Sequence, residues 1–308
     1  MAQALNYAKE YSRELANAYP YVLNFGALYS TENNGRYRWV NAKTIEIPRV
    51  STTGRVNGSA DTIGFAARNY DNSWEPKTLS HIRKWSTLIH PMDIDMTNMA
   101  TSISNITKTF NEEQKFPEMD AYTISRLYQL WTTTDSSIGY TGKTAGADTS
   151  SDKLSSANIL AKFDALMLAM DEARVPVNGR ILYVPNKVKA MLKEATGISR
   201  TFDVKTRSSA IDRTVSRLEE VEVVGVPESL MKTAYTFTEG WAPAEDAKTI
   251  LMFLVHPSAV ITPVSYEFAT LDTPSGVTEG KYIYYEESYE DVFILAKKAD
   301  ALQFYISQ

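Results

Sequence analysis

Few residues in this chain could carry bond-making chemistry. Its 308 residues include no cysteine and only three histidines, His81, His90 and His256. Thiolate nucleophiles, disulfides, Cys-based zinc sites and iron–sulfur clusters are therefore excluded. Three scattered histidines leave little for a multi-His metal centre. Gly142-Lys143-Thr144 has the ending of a phosphate-binding loop. The full loop needs a glycine five residues earlier, where Ser137 stands, and a strand leading in. Asp93-Ile94-Asp95 starts like a calcium loop, but its glycine position is Asn98 and its twelfth position is Ser104, not Glu. These carboxylates read better as caps at a strand-to-helix junction. Glu286-Glu287 and Glu290-Asp291 read as a solvated acidic edge between alternating strand tyrosines, and His256 as a cap at the end of a strand. No nucleophile elbow, Gly-rich dinucleotide loop or HExxH stretch is present. No catalytic, cofactor-binding or metal residue is assigned, and no cofactor is expected.

The elements expected to carry these residues fall into blocks. Residues 1–38 read as an apolar arm, with Leu5, Tyr7, Tyr11, Leu15 and Tyr19 in a weak helical stripe ended by Pro20. Such an arm must bury itself against its own chain or a neighbour. Residues 39–92 read as extended. Thr44 to Val50 alternates, and Pro48 within it predicts an edge strand or projecting ribbon, because proline cannot donate to a central ladder. Residues 93–134 read as helical. Met96, Met99, Ile103, Ile106 and Phe110 recur at spacings of three and four. Pro117 opens a second stretch, with Glu118 and Asp120 near the positive end of its dipole. The two stretches predict a long, kinked helix. Residues 132–152 read as a surface loop.

From 153 to 255 helix and strand alternate. A helix runs through Ile159 to Met170, capped by Ser155 or Ser156. A strand follows at Arg180–Val184, then a helix through Val188 and Leu192. A short helix is expected through Ile211, Val215 and Leu218, and strands at Val221–Pro227 and Thr249–Val255. Residues 256–308 read as strand-rich.

Charge is segregated along the chain. Residues 1–92 hold 11 basic and 7 acidic side chains, net +4, and residues 256–308 hold 3 and 8, net -5. Two readings stay open: complementary ends that favour head-to-tail docking of copies, and a chance asymmetry of a solvated surface. The basic excess is too diluted for a nucleic-acid footprint, which is a clustered stripe. No apolar run reaches the length of a membrane span, and the N-terminus lacks a signal-peptide core, so a cytoplasmic product is expected.

The order of blocks resembles the major capsid proteins of tailed bacteriophages, the HK97-type fold. Local stretches carry the same resemblance. Ile45-Glu46-Ile47-Pro48-Arg49-Val50-Ser51-Thr52-Thr53-Gly54 is similar to the extended hairpin (E-loop) of one group of these proteins from phages of Gram-positive hosts. Phe116-Pro117-Glu118-Met119-Asp120-Ala121-Tyr122 resembles the start of their spine-helix segment. Val175-Pro176 with Arg180–Val184, and Val221–Pro227, resemble their A-domain. Tyr289-Glu290-Asp291-Val292-Phe293 resembles a closing P-domain strand.

The resemblance implies an α+β, HK97-like architecture. It places an N-terminal arm at 1–38, the E-loop ribbon at 39–92, the spine helix and first part of the P-domain at 93–140, the A-domain at 141–255, and returning P-domain strands at 256–308. It implies a non-enzymatic coat protein that assembles through pentamers and hexamers into an icosahedral head around double-stranded DNA, bound without sequence specificity. Implied partners are other copies of the chain, a separate scaffolding protein, a portal and decoration proteins, with no membrane. The place implied is the virion, after synthesis in the host cytoplasm. Candidate contacts between subunits are Tyr11, Tyr29, Arg49, Arg55, Asp61 and Trp74. An encapsulin-like compartment shell is the alternative, and an α/β enzyme using residues 153–255 a remote one.

Overall fold

The computed structural model describes residues 21–41, 43–55, 69–96, 102–195, 217–218 and 220–308. After a helical turn α1 (Gly26–Tyr29) come β1 (Arg38–Asn41), β2 (Thr44–Thr52), β3 (Tyr70–Thr78) and β4 (His81–Ile89). Helices α2 (Pro91–Met96), α3 (Ile103–Phe110) and α4 (Phe116–Thr132) follow. Next are β5 (Gly146–Ala147), α5 (Ile159–Glu172), β6 (Ile181–Pro185), α6 (Asn186–Glu194), β7 (Arg217–Leu218) and β8 (Val221–Val226). The chain continues through β9 (Tyr235–Thr236), β10 (Ala242–Pro243), β11 (Ile250–Val255) and β12 (Val260–Ile261). It closes with β13 (Val264–Asp272), β14 (Tyr282–Glu290), β15 (Phe293–Ile294) and β16 (Leu302–Ile306).

Three sheets organise the molecule. The ribbon sheet has the order β1-β2-β3, all antiparallel. β1 pairs only with Thr44, Ile45 and Glu46, so from Ile47 onward β2 has β3 alone as a partner. Pro48 lies opposite Trp74 on this free-edged part, where its missing N–H costs no ladder bond. The chain then leaves the ribbon. β4 pairs with β14 of a long hairpin, giving the order β13-β14-β4. The third sheet has the order β5-β16-β11-β6-β8-β7. Its strand β16 comes from the C-terminal stretch and lies antiparallel to β11.

The central strands of the six-stranded sheet are apolar along their whole length because both faces are covered. Ile181 and Tyr183 of β6, with Phe253 and Val255 of β11, pack with Leu127 and Trp131 of α4. Leu182 and Val184, with Met252 and Leu254, pack on the other side with Phe163, Met170 and Leu192 of α5 and α6. Strand parity thus sends alternate residues to two cores.

The predicted long helix is present, interrupted by a wider turn at the point where Pro117 follows. A π turn at Asn111–Lys115 joins α3 to α4, with Phe116 N–H donating to the Asn111 carbonyl. Pro117 cannot make the next i→i−4 bond, and the wider turn just before it takes up the mismatch. The helix therefore continues through this point, and Glu118 and Asp120 do not sit at a free positive helix end as expected.

Other expectations shift. Asn158, and neither Ser155 nor Ser156, stands at the start of α5. Ile211 and Val215 lie outside the described residues, while Leu218 belongs to a strand pairing with Val221, not to a helix. His90 Nδ1 accepts the N–H of Met92 at the start of α2.

Candidate functional site

The route from the ribbon into the body gives the molecule its main polar anchor. At the root, Ile45 and Ile47 of β2 and Leu79 bury against Ile261 and Phe293. Period-two alternation puts both isoleucines on that face, and Val50, of opposite parity, is 57% exposed. Leu79 and Ser80 are the two residues between β3 and β4, and Ser80 makes the polar contact. Its N–H and hydroxyl donate to Asp291 Oδ2 at 2.8 and 3.0 Å. The other oxygen of Asp291 accepts from Tyr122 hydroxyl at 2.8 Å, from Val292 N–H at 2.8 Å, and from Arg126 Nε at 3.3 Å. Asp291 is buried, so one carboxylate ties together ribbon, spine helix and closing strands. Its proximity and the burial of the ring push the Tyr122 phenol well above its ordinary range, burial being the larger cause.

A second carboxylate does the same for the arm. Buried Asp120 accepts from Tyr21 hydroxyl at 2.6 Å, from Asn24 N–H and side-chain N–H at 2.8 and 2.9 Å, and from Phe25 N–H at 3.2 Å. Phe25 then stacks at a tilt on Tyr183, 4.7 Å between centroids. Residues 21–29 are thus held on the chain's own core.

Between α3–α4, β4, β14 and the loop after β9 lies a cleft of about 550 Å³. Arg83 fills its inner end. It pairs with Glu118 through two nitrogens and donates to the carbonyl of Phe237 at 2.6 Å. Lys115 meets Glu286 at 3.4 Å. Burial raises the Glu118 carboxyl despite Arg83, and pushes Glu290 up to about 7, against the pull of Lys115 and with repulsion from Glu118, Glu267 and Asp291. His81 stacks on Tyr122 with centroids 3.7 Å apart, and burial, then Arg83, pushes it down to about 4.

The expected solvated acidic edge is therefore corrected. Asp291 is buried and bonded on both oxygens, Glu286 is paired and burial pushes the Glu290 carboxyl up to about 7, because β14 lies between two strands with a helix across one face. His256 does cap, accepting the Ser258 N–H at 3.2 Å. Lys143 pairs with Asp300 at 2.6 Å in place of any phosphate-loop role. Among the described residues no group of three or more His, Asp and Glu is placed to hold a metal ion. Asp120, Asp291, Glu118 and Glu286 are committed to hydrogen bonds and ion pairs, an arrangement suited to anchoring.

The six candidate contact residues separate. Tyr11 and Asp61 lie outside the described residues. Tyr29 turns inward, its hydroxyl 2.7 Å from Thr123 Oγ1. Arg49 donates to the Ile138 carbonyl at 2.7 Å. Arg55 is exposed. Trp74 is 43% exposed with the Arg38 guanidinium 4.0 Å above its ring. The fold brings Arg49 and Trp74 onto opposite faces of one ribbon and places Tyr29 away from it, against α4. Sequence reasoning missed Asp120, Asp291, Tyr122 and Arg83. The available signal was a lone carboxylate inside an apolar run, as in Asp291-Val292-Phe293.

No family model and no curated protein matches the chain. Solved structures do. A protein of Mycobacterium phage Che8 matches with TM-score 0.64 at 13% identity, covering 97% of each chain. The mature capsid of bacteriophage PhiM1 matches with TM-score 0.63 at 12% identity, over 100% of this chain and 92% of that one. The capsid of cyanophage P-SCSP1u matches with TM-score 0.65 at 13% identity, over 98% and 93%. With arm, ribbon, spine helix and six-stranded domain in the order described above, the chain has the HK97-like fold of phage capsid subunits.

Proposed function

We propose that this chain is the major capsid protein of a tailed phage, a building block that assembles through pentamers and hexamers into an icosahedral shell around double-stranded DNA. The observation that carries this is likeness to phage capsid subunits over nearly the whole length of both chains, which leaves little extra sequence for another activity. The ribbon supports it: two nine-residue strands anchored at one end, with Val50, Tyr70 and Trp74 exposed beyond the anchor. Exposed aromatics on a rigid support suit contact between copies. In this reading Arg55 and Trp74, with Tyr11 and Asp61, meet neighbouring copies, and scaffold, portal and decoration proteins act on the shell. The shell's DNA is held by confinement, without sequence-specific contacts. Among the described residues no helix is long and apolar enough to cross a membrane.

Electron microscopy of the expressed protein, with and without the products of neighbouring genes, tests this. Closed shells with five- and sixfold capsomers are expected. Monomers or dimers under every condition would overturn the reading. Native particles carrying an enzyme and no DNA would overturn its genome-container part.

A further inference from the structure

Two cations bind the ribbon to its own body just past the root, and neither belongs to the anchor described above. Arg49 points from β2 to the loop after α4 and donates to the Ile138 carbonyl at 2.7 Å. Lys297, on the turn before β16, donates to the Val50 carbonyl. Val50 lies where β1 no longer covers β2, so its backbone edge is open to such a donor. Between ribbon root and body is a cavity of about 250 Å³, lined by Lys77, Asp135, Ile138, Tyr140 and Phe293 among others. Beyond the packed root of Ile45, Ile47 and Leu79, this gap leaves the ribbon without close apolar packing on the body. The described bonds that cross the gap are polar, and Lys77 adds a longer contact to Asp135 at 3.8 Å.

The register shows which face these bonds spare. Cross-strand partners share a face, so Arg49 lies with Ser73, and Ile47 with Glu75, on the side turned to the body. Pro48 with Trp74, Val50 with Asn72, and Thr52 with Tyr70 lie on the other side. That second face carries the exposed Val50, Tyr70 and Trp74.

We infer that Arg49 and Lys297 form an intramolecular latch that sets the angle of the ribbon in the free subunit and keeps its Trp74 face turned outward. The latch preorganises the ribbon, so that contact with a second copy does not have to bear the loss of its rocking freedom. The inference about assembly rests on the capsid reading; the latch itself does not.

The chain has no cysteine, which permits clean site-directed labelling. Spin labels placed through Thr53→Cys on the ribbon and Ser150→Cys on the body report the ribbon angle by pulsed electron resonance in the unassembled protein. The parent is expected to give one narrow distance distribution. Arg49→Ala with Lys297→Ala is expected to broaden it at least about twofold, with far-UV dichroism and melting temperature unchanged, and Arg49→Lys to restore part of it. Equal widths would overturn the latch. Lys297 is exposed, so Lys297→Ala alone serves if the double variant does not fold, and it must broaden the distribution as well. Loss of two polar bonds is expected to slow shell formation about tenfold. Broadening with unchanged assembly kinetics would overturn the preorganising role while leaving the latch. Failure of parent and variant alike to form shells would instead count against the capsid reading.

Discussion

Asp291 joins three parts of the chain through one carboxylate, and its replacement should show this. Arg126, Tyr122 and Ser80 all donate to it in a site closed to water. Asp291→Ala leaves a cation, two hydroxyls and two backbone N–H groups without their acceptor, at a cost of about 3–5 kcal/mol. Asp291→Asn keeps an acceptor and should lose less. Urea unfolding monitored by tryptophan fluorescence measures both, and equal stabilities for all three proteins would refute the anchor.

Glu290 and His81 set a pH dependence whose sign can be worked out. The Glu290 carboxyl rises from 4.5 to about 7 on folding, so its stabilisation is full below pH 4.5 and is lost as pH rises through about 7. His81 falls from 6.5 to about 4, so its contribution is full above 6.5 and is lost as pH falls toward 4. Between roughly 4.5 and 6.5 the two slopes oppose each other. Above 6.5 Glu290 acts alone of the pair, and stability should fall by about 1 kcal/mol per pH unit at first and level off once the carboxyl is fully ionised. Chemical denaturation from pH 6 to 8.5 checks this, and Glu290→Gln should flatten the decline.

At the scale of elements, the end of α4 depends on the loop that follows it. The Trp131 carbonyl accepts from Lys143 N–H at 2.9 Å and from Tyr140 hydroxyl at 2.6 Å, closing an acceptor that a helix end leaves open. The loop comes so close that a Cβ on Gly142 would lie 2.0 Å from the Thr132 carbonyl oxygen. Gly142→Ala therefore forces backbone to move, and should lower stability by about 1–3 kcal/mol in thermal or urea unfolding. Gly139→Ala, with open space around the added carbon, would be strained only by its positive φ of 66°. The same loop offers Ile138 to Arg49, so Gly142→Ala should also loosen the ribbon.

The whole molecule carries a basic front and an acidic end. If copies dock through these regions, attraction between them is screened by salt. Light-scattering assembly kinetics should slow as sodium chloride rises from about 0.05 to 0.5 M, beyond a Debye length of about 3–10 Å. Faster assembly with added salt would point instead to apolar burial as the leading force, since screening cannot strengthen opposite-charge contacts.

Much of the architecture was legible because it follows from period and exclusion. The alternation of Thr44 to Val50, its Pro48, the three-and-four spacing of Ile103 to Phe110, and the apolar runs at Ile181–Val184 and Ile250–Val255 each constrain local structure through backbone geometry that any copy of those residues must obey. The absence of cysteine and the scarcity of histidine likewise bound the chemistry before any folding. The candidate contacts were less legible: Tyr29, chosen for the surface, turned inward, and Arg49 spent its charge within the chain. The sequence by itself determined the elements, their order and the classes of chemistry this protein lacks. Only the tertiary structure decided that Asp120 and Asp291 are anchors, that the Glu290 carboxyl rises to about 7, and which face of the ribbon stays open. Those outcomes depend on desolvation and on partners 90 to 250 residues away, as with Asn24 and Asp120 or Lys297 and Val50, and local spacing carries no trace of such distances.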